Sequence, residues 1–282
     1  MSLKILQVDA FTNRPFAGNP AAVCVMDTPI EADLMQAIAA EMNLSETAFL
    51  WPLEGATEGG YSLRWFTPAT EVDLCGHATL ASAHVLWSEG YLKPEETARF
   101  STKSGWLSAA KKEDWIELDF PAQPVTVTSY VAPALIKSLC CGGNIRTVAK
   151  NEVNYLIELQ SETVLRSLEP DFAQIKKLPL HGIIVTAPAD SDEYDFVSRY
   201  FAPAVGINED PVTGSAHTSL APYWQEKLGK SNMLAQQLSA RGGIIRVHCK
   251  LPNSNTAPTD SENRILISGQ AITILQGDLM IR

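Results

Sequence analysis

The sequence predicts an α+β fold made of two related halves, and three observations predict it. The segment Arg64-Trp65-Phe66-Thr67-Pro68-Ala69 returns as Arg199-Tyr200-Phe201-Ala202-Pro203-Ala204, with four identities in six positions. Each copy then leads through a short polar loop into a small-residue stretch that reads as a helix start. These stretches are Cys75-Gly76-His77-Ala78-Thr79-Leu80-Ala81 and Thr213-Gly214-Ser215-Ala216-His217-Thr218. Finally, strand-like segments dominate, and each half offers only one or two long helical patterns. Self-similarity at so long a period indicates duplicated halves, since a solenoid needs several shorter repeats. A sheet wrapped around a helix in each half suits this balance better than alternating βαβ units.

The elements follow in order. Leu3–Phe11 alternates in the strand manner, a loop rich in turn formers covers residues 12–20, and Ala21–Met26 reads as a second strand. Thr28, Pro29 and Glu31 form a capping-box signature, and Leu34, Ile38 and Met42 recur every four residues, which predicts a helix to about Asn43. Strands are expected at Thr47–Trp51, Tyr61–Thr67, Thr97–Thr102, Trp106–Ala110 and Trp115–Phe120, with a helix over Gly76–Glu89 ended by Gly90. The proline-punctuated run Phe120-Pro121-Ala122-Gln123-Pro124 marks the boundary. It gives halves 1–120 and 121–282, with the last strand free to cross back to the first half. The second half offers strands near Tyr155–Leu159, Gly182–Ala187, Asp195–Phe201, Gly243–His248, Arg264–Ser268 and Ala271–Leu275, the last two joined by a turn at Ser268-Gly269-Gln270. A helix is expected over Gly214–Lys227. Gln123–Asn144 and Leu251–Asn263 look irregular, the second as an exposed loop.

Composition narrows the functional classes. A chain of 282 residues that is 45% hydrophobic and 19% charged folds and can bury a core in each half. The net charge of −10 and the absence of any long Lys/Arg run argue against nucleic acid or a membrane surface as partner. No apolar run approaches the length of a membrane span, and the N-terminus lacks a signal-peptide core. Five cysteines, an odd number without a C-x-x-C pair, fit neither a disulfide framework nor a zinc knuckle and suit a reducing cytoplasm.

Three segments can carry chemistry. Glu46 follows a helix and enters a strand between Leu44 and Phe49, where partial desolvation would raise its pKa toward that of a general base. A solvated helix end is the plainer alternative. His77 falls in a first helical turn beside unpaired N–H groups, where a capping or surface histidine is an equal alternative. Cys75 just ahead of it is either a thiol activated by the helix end or a buried inert one. Asn208-Glu209-Asp210-Pro211-Val212-Thr213-Gly214-Ser215 reads as ordinary capping, except that Gly214-Ser215 stands where Gly76-His77 stands in the first copy. If the halves pack face to face, two helix N-termini converge on one cleft and form an anion-binding mouth. Metalloprotease, nucleophile-elbow, P-loop and dinucleotide motifs are absent, so hydride and phosphoryl transfer are disfavoured and proton transfer remains.

Together, Val8–Val25 with its Gly-Asn-Pro, Ser45–Phe49, Phe66–Leu80, Glu209–Ala216 and Ile267–Gly277 resemble the family of the phenazine-biosynthesis isomerase PhzF, which shares the diaminopimelate epimerase fold. The resemblance runs through both halves in order. It implies two pseudo-symmetric halves, each a curled, mostly antiparallel sheet around a central helix, with the active site in the cleft between them. It also implies a homodimer that needs no metal or organic cofactor and acts on a small carboxylate-bearing substrate. By motif, Glu46 takes the place of the acid/base carboxylate, while His77 and Asp210 hold substrate and assist the proton. Ser215 is a substrate-binding hydroxyl, and Gly76 and Gly214 present helix-start amides. Racemases on this fold use two cysteines; here Cys75 has no thiol counterpart in the second half, so a carboxylate-based isomerase is the favoured reading. An amino-acid racemase or epimerase using Cys75, or a non-catalytic binding protein on the same fold, are the alternatives.

Overall fold

The computed structural model describes residues 2–53, 60–250 and 263–281. All but the last residue of the loop expected over Leu251–Asn263 therefore lies outside the described residues. The chain divides into two compact units, one of Met1–Asp119 with Ser268–Arg282, the other of Phe120–Ile267.

In chain order the first unit carries β1 (Ser2–Ala10), β2 (Asn19–Val25), α1 (Ala32–Met42), β3 (Glu46–Pro52), β4 (Tyr61–Phe66), β5 (Glu71–Val72), α2 (Gly76–Ser88), β6 (Ala98–Thr102), β7 (Gly105–Lys112) and β8 (Trp115–Pro121). The second carries β9 (Thr126–Val127), α3 (Pro133–Leu139), β10 (Ile145–Lys150), β11 (Asn154–Leu159), α4 (Glu162–Arg166), α5 (Phe172–Ile175), β12 (Gly182–Pro188), β13 (Phe196–Phe201), α6 (Gly214–Leu228), β14 (Asn232–Gln237), β15 (Gly243–Lys250) and β16 (Arg264–Gly269). Last comes β17 (Ala271–Met280), which pairs antiparallel with β1 along its length and so belongs to the first unit.

Strand pairing carries the duplication well past the hexapeptide. The first unit runs β17-β1-β2-β3-β4-β6-β7, with senses antiparallel, antiparallel, parallel, antiparallel, parallel, antiparallel. The second unit runs β9-β10-β11-β12-β13-β14-β15 with the same senses at every step. This is the predicted α+β architecture, a mixed sheet with few helices in each half.

The central helices explain why the small residues follow each glycine. Helix α2 packs on β1, β2, β3, β7 and β17, and every residue from His77 to Ala83 is buried. A helix buried all round needs no amphipathic stripe. Its Thr79 and Ser82 hydroxyls turn inward and donate to the Cys75 and Ala78 carbonyls at 2.6 and 2.7 Å. Packing is tight enough that a Cβ on Gly269 would sit 2.3 Å from Phe11 Cδ1 and 2.9 Å from Leu80 Cδ1. Helix α6 is tied to its own sheet by polar contacts. Trp224 Nε1 donates to Thr186 Oγ1 at 2.9 Å, and Glu158 Oε2 accepts from Tyr223 Oη at 2.7 Å and Lys227 Nζ at 2.6 Å.

Some expectations need correction. Helix α1 begins at Ala32 with Glu31 as N-cap, so Thr28 and Pro29 lie ahead of it and no capping box forms. Its fully buried stripe is Met35, Ile38 and Ala39, one step round from the expected one, with Leu34 and Met42 packed at the rim. The irregular segment after Gln123 contains α3, opened by Pro133 at its start. Strands β5, β9, β10 and β14 and the short helices α4 and α5 were not anticipated either.

Candidate active site

Glu46 is the first residue of β3, where parallel pairing sets it beside Ala21 of β2. It is only 8% exposed. His77 stands in the first turn of α2 and is 6% exposed. Its Nε2 lies 3.1 Å from Glu46 Oε2. The two atoms are out of line for a hydrogen bond, and neither has a hydrogen-bond partner among the described residues. A buried carboxylate oxygen and a buried ring nitrogen left in this state are costly in a purely structural role. The opposite ring nitrogen, Nδ1, faces Asn19 Nδ2 at 3.2 Å and Cys75 Sγ at 3.5 Å. Ser45 Oγ donates to Asn19 Oδ1 at 3.1 Å.

Charge states follow from this crowding. Burial, then the Glu46 carboxylate, push the Cys75 pKa up, so Cys75 is a neutral thiol and not an activated nucleophile. Burial also opposes charge on His77, but Cys75 and Glu46 outweigh it and hold the ring well above its ordinary pKa. With Cys75 a thiol, that upward shift rests on Glu46. Ligand atoms of Glu46, Cys75 and His77 lie within 4.8 Å of one another, an oxygen, sulfur and nitrogen set that zinc accepts. The two ring nitrogens nevertheless face different partners, Nε2 toward Glu46 and Nδ1 toward Cys75, so the three groups do not converge on one shared point.

The second unit holds the other sequence-derived residues. Asp210 is half-buried, and its Oδ2 accepts from Thr213 Oγ1 at 2.6 Å. Gln237, fully buried on β14, ties this turn down: its Oε1 accepts from the Thr213 N–H at 2.8 Å and its Nε2 donates to the Asp210 carbonyl at 2.8 Å. Thr213 is the N-cap of α6 without a side-chain cap bond, so Gly214 and the exposed Ser215 open the helix. His217, beneath them, is pushed down to about 4 by burial and donates from Nδ1 to the Thr213 carbonyl at 2.8 Å. The six predicted residues thus form two groups. Glu46, Gly76 and His77 belong to the first unit; Asp210, Gly214 and Ser215 belong to the second. Sequence reasoning missed Asn19 and Gln237 as site residues. Asn19 was visible only within the Gly-Asn-Pro motif, and Gln237 had no local signal.

The shared register tells which parts were duplicated and which diverged. Arg64 grips Glu71 through Nε at 2.7 Å and Nη2 at 2.9 Å and lies over Phe66 at 5.1 Å; Arg199 grips Glu209 at 2.7 and 2.9 Å and lies over Phe201 at 5.0 Å. Ser104 Oγ donates to the Asp73 carbonyl and Ser239 Oγ to the Pro211 carbonyl, both at 2.7 Å. Aligning Phe66 with Phe201 sets Glu46 of β3 against Gly182 of β12. At Gly182 a Cβ would lie 2.1 Å from Tyr200 Oη and 2.6 Å from Asn154 Oδ1, so these two side chains, themselves bonded at 3.1 Å, fill the counterpart of the glutamate's place. Cys75 and Thr213 are both N-caps at matching places. The scaffold is duplicated, but the carboxylate is not.

The Arg64–Glu71 pair carries a pH prediction. Hydrogen bonding to Arg64, aided by Lys103, lowers the Glu71 pKa from 4.5 to about 2 against the opposing effect of burial. A depressed carboxylate pKa gives stability that is present above the ordinary value and lost as pH falls toward the folded one. Between about pH 5 and pH 3, Glu71→Gln should therefore lose less stability than the parent chain. Urea titrations at both pH values check this, and equal losses would remove the pair from the acid response.

The family model for PhzC-PhzF, phenazine biosynthesis-like protein, matches residues 8–277. The chain belongs to the PhzC-PhzF family. An uncharacterized isomerase of Halalkalibacterium halodurans is 50% identical over 100% of both chains. The crystal structure of a PhzF-family protein from Enterococcus faecalis superposes with a TM-score of 0.89 at 42% identity, covering 100% of each chain. A hydroxyproline epimerase from Agrobacterium vitis shares the fold, with a TM-score of 0.61 at 12% identity over 99% of this chain and 92% of the other. Within the PhzC-PhzF family this chain is an enzyme of the isomerase class. Among the described residues no helix is long and apolar enough to cross a membrane.

Proposed function

We propose that this PhzC-PhzF protein is a cofactor-independent isomerase that moves a proton between carbons of a small carboxylate-bearing metabolite. Glu46 is the acid/base. The observation that carries the proposal is the buried Glu46–His77 pair, whose facing atoms are 3.1 Å apart and lack hydrogen-bond partners among the described residues.

The chemistry runs as follows. The Glu46 carboxylate takes a proton from a substrate carbon, and the electron pair of that C–H bond delocalises toward the substrate's own carboxylate. Negative charge grows there, so donors already aimed at it stabilise the transition state. The first-turn amides at Gly76 and Gly214 and the Ser215 hydroxyl supply such donors, and the positive end of each helix dipole has the right sign. The electron pair also spreads over a C=C bond conjugated with the deprotonated carbon, so Glu46 returns the proton to the far end of the conjugated system and the double bond shifts as the new C–H bond forms. His77 faces the acid/base at 3.1 Å, and Asp210, held by Thr213 and Gln237, orients substrate.

A racemase using Cys75 is less well supported, because burial keeps that thiol neutral and its counterpart is Thr213. A pure binding role gives no reason for two buried, unpartnered acid–base atoms. The test is deuterium uptake from heavy water into a panel of cyclic and amino carboxylic acids, with Glu46→Gln run beside the parent. Exchange of a panel member by the parent and not by the variant supports the assignment; equal exchange by both removes Glu46 from the role. A homodimer in a reducing compartment completes the proposal. Five free thiols fit that compartment, and a monomeric mass by light scattering would contradict the dimer.

A further inference from the structure

Asn19 opens β2 two residues before Ala21, the strand neighbour of Glu46, and its side chain is fully buried. It links two site elements. Its Oδ1 accepts from Ser45 Oγ at 3.1 Å, and its Nδ2 lies 3.2 Å from His77 Nδ1. An amide nitrogen donates and does not accept. The ring nitrogen facing it is therefore an acceptor, and a neutral ring carries its one hydrogen on Nε2, the nitrogen that faces Glu46 Oε2 at 3.1 Å. Cys75 Sγ, 3.5 Å from Nδ1, approaches the same nitrogen and can donate to it. Ser45 Oγ holds the other end of the amide, donating to its oxygen at 3.1 Å.

We propose that Asn19, held by Ser45, is a positioning residue that keeps the single proton of the neutral His77 ring on the nitrogen facing Glu46. This inference rests on the reading of Glu46 and His77 as the acid–base pair. It has a directional consequence. In its neutral form His77 presents an N–H to the glutamate and so favours the carboxylate that must accept the substrate proton. A second proton enters the ring only if the Asn19 amide turns over, which brings Oδ1 to Nδ1–H and the amide nitrogen to Ser45. A hydroxyl both donates and accepts, so the Asn19 amide stays paired with Ser45 and with His77 Nδ1 in either of its two orientations. The titratable groups that face the ring are Glu46 from β3 and Cys75 from the N-cap of α2. Asn19 contributes no charge of its own. It selects which nitrogen is occupied.

The test is nitrogen-15 NMR of the His77 ring in the full-length labelled chain, where long-range proton correlations distinguish a bare nitrogen from an N–H. On the neutral limb of the titration the parent is expected to show hydrogen on Nε2. Asn19→Leu should lose that preference. Asn19→Asp, which offers only acceptors, should move the titration midpoint up by roughly one pH unit or more. Ser45→Ala, with a smaller change to the core, frees the amide to turn and should also weaken the preference if Asn19→Leu does not fold. Hydrogen on Nδ1 in the neutral parent ring overturns the proposal. So does a ring that stays doubly protonated to the alkaline limit of folding, or an identical tautomer and midpoint in the parent and every folded variant. These spectra need no substrate. Failure of Glu46→Gln to stop deuterium exchange therefore sinks the functional reading, while a wrong tautomer sinks only this one.

Discussion

Replacing Glu46 by glutamine is expected to lower substrate proton exchange by about a hundredfold to ten-thousandfold, the usual contribution of a positioned acid/base. The side chain keeps its shape and keeps an oxygen for His77, so the loss isolates proton transfer from packing. The variant should stay folded, and the stability it loses near neutral pH is the attraction between the Glu46 carboxylate and the charged His77 ring. Glutamine also removes the carboxylate on which the raised His77 pKa rests, so the ring should titrate at lower pH in the variant. A group whose folded pKa is raised stabilises the fold below its unfolded pKa and loses that contribution as pH rises through the folded value. The parent should therefore lose stability with rising alkalinity more steeply than Glu46→Gln. Exchange measured by mass spectrometry and melting followed by circular dichroism read the two effects separately. An unfolded variant would make Glu46 a structural residue; a folded one with parental exchange would leave the family's acid/base place empty in this chain.

Much of this site was legible from sequence because it depends on backbone placement. The glycine-led helix starts at Gly76 and Gly214 stand out by their small residues and by repetition, and both open helices. The long strands were visible where β-branched and aromatic residues alternate. Strand β14 was not, since Asn232-Met-Leu-Ala-Gln-Gln has little intrinsic strand preference and is held extended between β13 and β15. Gln237 closes that strand, and its grip on Thr213 spans 24 positions of sequence, beyond the reach of any local pattern. The same reason hid the Asn19–His77 contact, which joins residues 58 apart. The vacated glutamate place in the second unit was equally hidden, because Gly182 resembles Glu46 in no chemical respect and only strand register equates them. Duplication kept the frame legible, whereas divergence between Glu46 and Gly182 left no local signal.

The repeated arginines give the second large effect, and an inequality within it. Arg199→Ala should cost about 3–5 kcal/mol, the range for breaking a buried, hydrogen-bonded charge pair. Arg199 is 12% exposed, holds Glu209 with two bonds, and also donates from Nη1 to the Leu165 and Leu168 carbonyls at 3.2 and 2.9 Å. Removing it strands a carboxylate, takes a donor from the Leu165 and Leu168 carbonyls at the end of α4, and unseats the turn that carries Asp210. Arg64→Ala should cost less, about 2 kcal/mol. Arg64 is 26% exposed, donates to no carbonyl among the described residues, and leaves Glu71 with Lys103 at 2.6 Å. Urea unfolding of the two variants decides the order. If Arg64→Ala proves the more damaging, the carbonyl bonds of Arg199 contribute nothing. The two arginines would then differ for a reason other than the one their surroundings supply. A cycle adding Glu209→Gln to Arg199→Ala separates the ion pair from those carbonyl bonds. Once the arginine is gone, the second substitution should recover the part of the loss owed to the stranded carboxylate, and the loss that remains belongs to the carbonyl bonds.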